Sequence, residues 1–175
     1  MDMMRSRSRA VTVLAALSAV GLILGYIESF IVIPVNIPGF KIGTANIVSV
    51  IALYLLGAAP ACVVMLIRTI LSALLLGSPI SLVYSLLGGL VALIAMYFGK
   101  RLGFSVYGTS ILGAVFHNIA QTATAFVFVG NMYVFTYVPI LVIVAVFTGT
   151  LTGFLSDVLM KRLGRFFTDE RKQDK

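Results

Sequence analysis

Charged residues and cysteine are scarce in this 175-residue sequence. Lys, Arg, Asp and Glu make up only 11% of the chain, against 60% for hydrophobic residues. A soluble globular domain carries roughly 25% charged residues, so too few are present here to cover a surface that faces water. The single cysteine, Cys62, excludes an intramolecular disulfide, and we expect it to be a small packing residue. The composition therefore predicts one compact membrane domain.

Several catalytic and metal-binding motifs are also missing. The single histidine, His117, argues against a multi-histidine metal or haem site. The absence of a G-x-x-x-x-G-K-[ST] loop excludes ATP hydrolysis by that route. We find no aspartate-rich pair to hold magnesium against a diphosphate and no nucleophile–base constellation. We therefore expect a protein without catalytic residues, metal or cofactor, and not an enzyme.

The basic residues cluster at the ends of the apolar runs. Of the 13 Lys and Arg residues, three precede the first run, two lie in a central break and six follow the last run. With four helices before the break and two after it, all three basic groups lie on the same side of the membrane. The positive-inside rule assigns that side to the cytoplasm. These positions also suit anionic lipid headgroups, and no basic–aromatic surface for nucleic acid is visible. We expect Lys161 to pair with Asp157, four residues earlier.

The sequence thus predicts an all-α integral membrane protein, a bundle of six transmembrane helices with cytoplasmic N- and C-termini. A basic segment (residues 1–10) precedes the membrane domain (residues 11–160), and a basic tail (residues 161–175) follows it. Proline, glycine and polar residues separate the runs. The predicted helices cover residues 11–33, 44–56, a third stretch from about Pro60 to residue 76, then 80–98, 106–129 and 137–160, with a hydrophilic loop at residues 99–103.

The second predicted helix is too short to cross a bilayer. Residues 45–56 extend about 18 Å, whereas the hydrocarbon core is about 30 Å thick. Part of the preceding segment, residues 34–43, is then at membrane depth, where non-helical backbone must be buried in protein or line a polar cavity. This interpretation makes the segment a candidate lid or binding loop. The alternative is a short tilted helix with local bilayer thinning.

Arg68 is the costliest side chain in the apolar runs. Near the middle of the third helix, it must find an anion, carbonyl groups or water. Glu28 is the one acidic residue in the outer half of the membrane region, so a structural Glu28–Arg68 pair and direct contact of Arg68 with a ligand are both open. A bound anion could also share Arg68 with Glu28. Together with Lys41 and neutral His117, Arg68 favours an anionic ligand such as a carboxylate or phosphate.

The fifth predicted helix carries a polar patch. His117 and Gln121 are four residues apart and Asn118 and Gln121 are three apart, and both spacings share one helical face. The patch predicts side chains that point into the bundle and face a ligand. The alternative is hydrogen bonding between helices that only holds them together.

Two pairs of small residues predict close helix contacts. Ala15 and Ala19 lie four apart on the first helix with Ser18 beside them, and Gly149 and Gly153 form G-x-x-x-G on the sixth. Such faces let another helix approach closely. Either pair can serve packing within the bundle or contact with a partner.

Two stretches resemble the Gx transporter family, also labelled heptaprenyl diphosphate synthase component I. The first is PGFKIGTANIV at residues 38–48, followed by ALYLLG at residues 52–57, and the second is GAVFHNIAQ at residues 113–121. The resemblance covers roughly residues 11–163. This family is similar to the substrate-binding S components of energy-coupling factor (ECF) vitamin transporters.

The resemblance implies a bacterial plasma-membrane protein that binds a small nutrient, such as a vitamin or cofactor precursor, at the outer half of its bundle. It also implies association with a membrane coupling subunit and two ABC-type ATPases, with Ala15, Ser18 and Ala19 contacting the coupling subunit. Glu28 is expected to organise the site. The residues expected in the substrate site are Glu28, Lys41, Asn46, Arg68, His117, Asn118 and Gln121.

Two other functions stay open at this point. A non-catalytic membrane subunit that assists a prenyl diphosphate, quinone or redox enzyme would agree with the family's label, although the acidic cluster for metal-bound diphosphate is missing. An autonomous channel or secondary carrier is less favoured, because the sequence has no visible inverted repeat. Copurification with ATPases, copurification with a soluble synthase and ATP-independent counterflow separate the three.

Overall fold

A computed structural model describes the backbone of residues 2–30, 43–76 and 79–173, and the side chains of residues 11–28, 30, 43–75 and 79–162. Within these ranges the chain is helical and contains no strand, which confirms the all-α class. Lys41 and most of the candidate binding loop lie outside the described residues. The helices are α1 (Asp2–Ser29), α2 (Asn46–Leu55), α3 (Ala58–Leu76), α4 (Pro79–Arg101), α5 (Val106–Val129) and α6 (Val138–Gln173), with a 3-10 helix (Met132–Tyr137) before α6.

The bounds predicted for α5 are confirmed. Ser105 caps its N-terminus, where the side-chain oxygen accepts a hydrogen bond from the Gly108 backbone N–H at 3.3 Å. At the other end Gly130 has a φ of 67°, a left-handed conformation that glycine adopts without strain and that commonly ends helices.

Three helices are longer than the sequence indicates. The prediction of a loop at residues 99–103 is wrong for residues 99–101. There α4 continues to Arg101, and Lys100 and Arg101 lie in its last turn. Basic side chains there interact favourably with the helix dipole. The backbone of α1 is helical from Asp2, and that of α6 is helical to Gln173. Lys and Arg are good helix formers, so a change from apolar to basic sequence does not by itself end a helix.

Five of the described helices are long and apolar enough to cross a membrane, which makes this a multi-pass membrane protein. They are α1, α3, α4, α5 and α6. Many large apolar side chains on them are exposed, among them Leu74, Val127 and Phe147, as expected of a surface that faces lipid. With ten residues, α2 extends only about 15 Å.

The short helix α2 lies inside the bundle. Every residue from Asn46 to Leu53 is buried, and the helix contacts each of the other five. A helix that is enclosed by protein does not have to match the thickness of the bilayer, which explains how so short an element is accommodated. The hydrophobic core joins α2 to α3 and α4 through Val48, Val50, Ala52, Leu53, Ala61, Val64, Ala92, Leu93 and Met96.

The G-x-x-x-G pair of α6 packs against α5. A Cβ atom on Gly149 would lie 2.7 Å from the Cα of Ile111, and one on Gly153 would lie 2.9 Å from the Cα of Tyr107. The two backbones therefore touch directly, the arrangement that glycine pairs permit. Of the two roles left open by the sequence, this pair serves packing within the bundle.

Candidate functional site

A small polar cavity lies beside the N-terminal end of α2. Its volume is about 40 Å³, enough for a few water molecules, since one water needs roughly 10–15 Å³. The walls come from α1, the turn before α2, the first residue of α2, α3, α4 and one residue of α5. The polar side chains that line it are Glu28, Asn46, Arg68, Thr69, Ser72, Ser81, Ser85 and His117.

Glu28 holds the turn that leads into α2. Its side chain is buried, and Oε1 accepts a hydrogen bond from the Gly43 backbone N–H at 2.6 Å. Oε2 accepts two more, from the Thr44 backbone N–H at 2.9 Å and the Thr44 hydroxyl at 2.6 Å. A carboxylate near the N-terminus of a helix is also favoured by the helix dipole. Glu28 thus ties α1 to the turn that leads into α2.

Arg68 reaches the same cavity from α3. Its Nη2 donates a hydrogen bond to Oδ1 of Asn46 at 3.0 Å, and its buried Nε has no hydrogen-bond partner among the described residues. Gly21 of α1 makes room for this side chain, because a Cβ there would lie 3.0 Å from Cδ of Arg68. The arginine therefore enters the cavity with one neutral partner.

Glu28 and Arg68 share the cavity without forming a direct ion pair. Among the residues whose side chains are described, the N–O distance falls within 4.0 Å only for Lys161 and Asp157, at 2.7 Å. That ion pair confirms the one predicted at the end of α6. The direct Glu28–Arg68 ion pair that the sequence left open is therefore not formed. Glu28 binds the turn before α2, and Arg68 binds Asn46, the first residue of α2.

The polar patch of α5 divides between two neighbours. His117 lines the cavity and packs on Gly88 of α4, where a Cβ would lie 2.8 Å from its Cε1. Gln121, one turn on, packs on the same glycine but does not line the cavity. Asn118 instead donates a hydrogen bond from Nδ2 to the Leu141 carbonyl of α6 at 3.1 Å. Asn118 therefore connects α5 to α6, whereas His117 lines the same cavity as Glu28, Asn46 and Arg68.

Hydroxyl groups complete the cavity wall and were missed by the sequence analysis. Arg68 and Ser72 on α3, and Ser81 and Ser85 on α4, are each four residues apart and so share a helical face. This spacing within apolar helices was the available signal. Thr69 is only 3% exposed, and within the part of the chain that the structure describes its Oγ1, like Oγ of Ser85, has no hydrogen-bond partner.

The C-terminal end of α2 is held by different contacts. The Lys100 ammonium donates a hydrogen bond to the Leu53 carbonyl at 2.7 Å and lies 4.9 Å from the centre of the Tyr54 ring. A cation at the C-terminus of a helix is favoured by the helix dipole. The Tyr54 hydroxyl lies 2.8 Å from Oγ1 of Thr109 and 3.1 Å from the Phe104 carbonyl oxygen. These contacts fasten α2 to α4 and α5.

The small-residue face of α1 is partly available to another helix. Ala15 and Ala19 are exposed, whereas Ser18 is buried. The two alanines therefore lie on the outer side of α1, and Ser18 faces the bundle. In the described part of the chain, no group of three or more His, Cys, Asp or Glu side chains is placed to hold a metal ion.

Comparisons with known proteins agree with this architecture. No curated protein matches the chain. A solved structure, described as the S component of a bacterial ECF transporter, matches it with a TM-score of 0.58 at 20% sequence identity, over 95% of this chain and 99% of that one. At this identity the likeness establishes the fold. The sequence profile of heptaprenyl diphosphate synthase component I matches residues 17–159, as the Gx transporter resemblance indicated. The chain therefore belongs to the heptaprenyl diphosphate synthase component I family.

Proposed function

We propose that the protein is the substrate-binding membrane subunit, or S component, of an ECF-type transporter that takes up a small anionic nutrient, such as a vitamin or cofactor precursor. One observation carries this proposal: an apolar bundle encloses a polar cavity into which Arg68 projects, and its Nε has no partner among the residues that the structure describes. A charged side chain inside a membrane bundle commonly marks a substrate or ion site. The fold likeness to a solved S component supports the same role.

The two charged side chains of the cavity have different tasks in this proposal. Glu28 accepts three hydrogen bonds from Gly43 and Thr44, so its charge is satisfied by the chain itself. Arg68 has only the neutral amide oxygen of Asn46. A ligand carboxylate or phosphate gains a charge-assisted hydrogen bond from Arg68, and would meet repulsion at Glu28. Arg68 is therefore the anion-binding residue and Glu28 the positioning residue.

Hydroxyl groups supply further donors beside Arg68. Oγ1 of Thr69 and Oγ of Ser85 are buried without hydrogen-bond partners, and leaving such a group unpaired costs about 1–3 kcal/mol. A ligand oxygen that accepts from them recovers this cost. Asn46 and His117 complete the substrate-facing set, whereas Asn118 is assigned to the contact between α5 and α6 and Gln121 to the packing around Gly88.

Ligand binding must enlarge the cavity. Its volume of about 40 Å³ is well below the roughly 300–1,000 Å³ typical of small-molecule sites. In this proposal the wall at Gly43 and Thr44, which hydrogen bonds to Glu28 and Leu24 hold against α1, is the part that moves. Separation of this turn from α1 therefore opens the cavity from the N-terminal end of α2.

The membrane orientation in this proposal follows from charge. With both termini in the cytoplasm of the bacterial cell, the ends of α4 and α6 that carry Lys100 and Lys161 face inward. Since Lys100 contacts Leu53, the C-terminal end of α2 would then lie at the inner side and the cavity toward the outside. Ala15 and Ala19, on the inner half of α1, would meet a membrane coupling subunit, and two ABC-type ATPases would supply the energy.

Gentle purification of the full chain, followed by native mass spectrometry, tests the proposal. We expect a retained small anion, copurifying coupling and ATPase subunits, and ATP-dependent uptake of that compound by cells. A soluble synthase as the copurifying partner, without ATP-dependent uptake, would instead support the prenyl diphosphate or quinone subunit. Counterflow by the pure protein without ATP would support an autonomous carrier.

A further inference from the structure

A short aromatic segment joins α5 to α6. It is the 3-10 helix Met132–Tyr137, in which no residue is buried. Tyr133 and Tyr137 are 76% and 44% exposed, and Met132 is 70% exposed. Residues 130–137 contain no charged side chain, so the exposed patch is largely apolar. A patch of this kind marks a surface that meets something other than water.

The segment lies at the end of the bundle where the polar cavity is found. Helix α5 begins beside the C-terminal end of α2, where the Tyr54 hydroxyl lies 2.8 Å from Oγ1 of Thr109. From Thr109 to Val129 the helix extends about 30 Å, the thickness of a hydrocarbon core. The segment is therefore at the other end. Stacking of Tyr84 on Phe128, with ring centres 5.8 Å apart, agrees, because Tyr84 lies in the first half of α4, which also lines the cavity.

Helix α1 carries a second pair of exposed rings at this end. Tyr26 and Phe30 meet edge to face with their centres 5.0 Å apart, and both are exposed. They lie on either side of Glu28, which is buried and lines the cavity. At the opposite end of the bundle, the last turn of α4 and the described end of α6 carry cations, among them Lys100 and Lys161. The two ends therefore differ, with rings at one and cations at the other.

The rings of the segment combine apolar area with polar tips. The most exposed ring is that of Tyr133, which carries a hydroxyl. Phe135, which has none, packs on α5, where its ring centre lies 5.5 Å from that of Phe126. Tyrosine is enriched where hydrocarbon meets water, because its ring is apolar and its hydroxyl is polar. The chemistry of the patch therefore fits a lipid–water interface.

The segment also continues the lipid-facing surface of two membrane helices. Val129 of α5 and Ile140 of α6 are exposed on either side of it, and both helices are long and apolar enough to cross a membrane. Within the segment, the Tyr133 backbone N–H donates to Oδ1 of Asn131 at 3.0 Å, and the Thr136 hydroxyl donates to the Tyr133 carbonyl at 2.6 Å. Backbone beside hydrocarbon needs such partners within the protein. The surroundings of the rings therefore favour lipid over a protein partner.

We propose that the 3-10 helix Met132–Tyr137 is a lipid-binding element that lies in the lipid–water interface at the cavity end of the bundle. Its rings contact the acyl chains next to the headgroups, and its hydroxyls reach the headgroups. Tyr26 and Phe30 belong to the same aromatic belt. His117 lies about 18 Å along α5 from Val129, so the polar cavity lies beneath the headgroup level. This surface is independent of the proposed transport function.

Tryptophan fluorescence tests the location, because the chain has no tryptophan of its own and one introduced residue reports alone. The full chain with Tyr133→Trp is reconstituted in phosphatidylcholine vesicles. Lipids brominated next to the headgroup should quench it more strongly than lipids brominated near the chain ends. Phe147→Trp is the matched control, since Phe147 is 73% exposed and lies about 14 Å into α6 from Val138. For this variant the order of quenching should be reversed.

Three outcomes would overturn the proposal. Stronger quenching of Tyr133→Trp by aqueous iodide than by either brominated lipid would place the segment in water. Protection from all quenchers would show that protein, such as a second copy of the chain, covers the rings. The same order of quenching as Phe147→Trp would place the segment deep in the bilayer. If Tyr133→Trp fails to fold, Tyr137→Trp reports on the same segment by the same criteria.

Discussion

The two ends of α2 are fastened in opposite ways. At the N-terminal end a carboxylate on α1 holds the preceding turn, and the guanidinium of Arg68 holds Asn46 beside a cavity. At the C-terminal end the Lys100 ammonium binds the last turn of the helix, and the Tyr54 hydroxyl lies within hydrogen-bond distance of two oxygens. Glu28 at the N-terminal end and Lys100 at the C-terminal end carry the charges that the helix dipole favours there, whereas Arg68 brings a cation to the N-terminal end.

The two ends of α2 differ in whether the polar atoms around them have hydrogen-bond partners. The polar atoms of Lys100 and Tyr54 act on α2 or its neighbours. Around the cavity, Nε of Arg68 and the hydroxyl oxygens of Thr69 and Ser85 have no hydrogen-bond partner in residues 11–28, 43–75 and 79–162. Buried groups normally find partners, and a charged group is the costliest to leave without one, so Arg68 supports a ligand site at the N-terminal end, whereas Lys100 and Tyr54 use their polar atoms within the chain. Four substitutions test this distinction.

The largest effect is expected for Arg68→Gln. Loss of a hydrogen bond from a charged donor, about 1.5–3 kcal/mol, should weaken binding of the retained anion roughly 10- to 100-fold, measured by calorimetric titration of the purified protein. Lys100→Gln removes the same charge at the other end of α2 and serves as the control. Similar losses of affinity in both variants would show that the two ends do not differ as described.

Glu28→Gln should mainly destabilise the protein. An amide places a donor where the carboxylate accepts from Gly43 and Thr44, and a buried donor without an acceptor costs about 1–3 kcal/mol. Thermal unfolding in detergent measures this loss. In a double-mutant cycle with Thr44→Val, the two changes should couple by more than about 0.5 kcal/mol. Strict additivity would mean that Glu28 does not hold the turn through Thr44.

Lys100→Gln should lower stability by about 1 kcal/mol through loss of the charge at the C-terminus of α2. The affinity for the retained anion should stay within about twofold, well below the tenfold change that 1.4 kcal/mol produces. Thermal unfolding and the same calorimetric titration measure the two quantities side by side. A strong loss of affinity with little change in unfolding temperature would contradict the anchoring role.

The smallest effect is expected for Tyr54→Phe. The change removes the hydroxyl near Thr109 and the Phe104 carbonyl but keeps the ring beneath Lys100. A neutral hydrogen bond contributes about 0.5–1.5 kcal/mol, and part of it is regained from other partners at this half-buried position. Thermal unfolding should show a small decrease, with anion binding unchanged. A larger decrease in unfolding temperature for Tyr54→Phe than for Lys100→Gln would contradict the expected order of these two effects.

The sequence indicated the fold well where local chemistry sets an element. Ser105 and Gly130 mark both ends of α5, and the short α2 was evident from the turn residues on each side of it. The predicted end of α4 was wrong, because the helix continues to Arg101 and Lys100 contacts Leu53 from within it. That contact joins residues 47 positions apart, and no local pattern reports it.

The candidate site was predictable only in part for a similar reason. Helical spacing grouped His117, Asn118 and Gln121, but adjacent residues on a helix point about 100° apart. Which of them meets the cavity and which meets Leu141 depends on where α4 and α6 lie. The roles of Glu28 and Arg68 likewise depend on distances across three helices, which sequence spacing does not contain.

The glycine contacts also show that different helix interfaces of the bundle tolerate substitution to different extents. Added side-chain carbons at Gly89 and Gly113 would meet the sulfur atoms of Met65 and Met96, and methionine adapts to such changes. At Gly149 and Gly153 they would meet backbone atoms of α5, which cannot move aside without moving the helix. Substitutions can therefore reshape the α3–α4–α5 interior, while the α5–α6 contact has to stay constant.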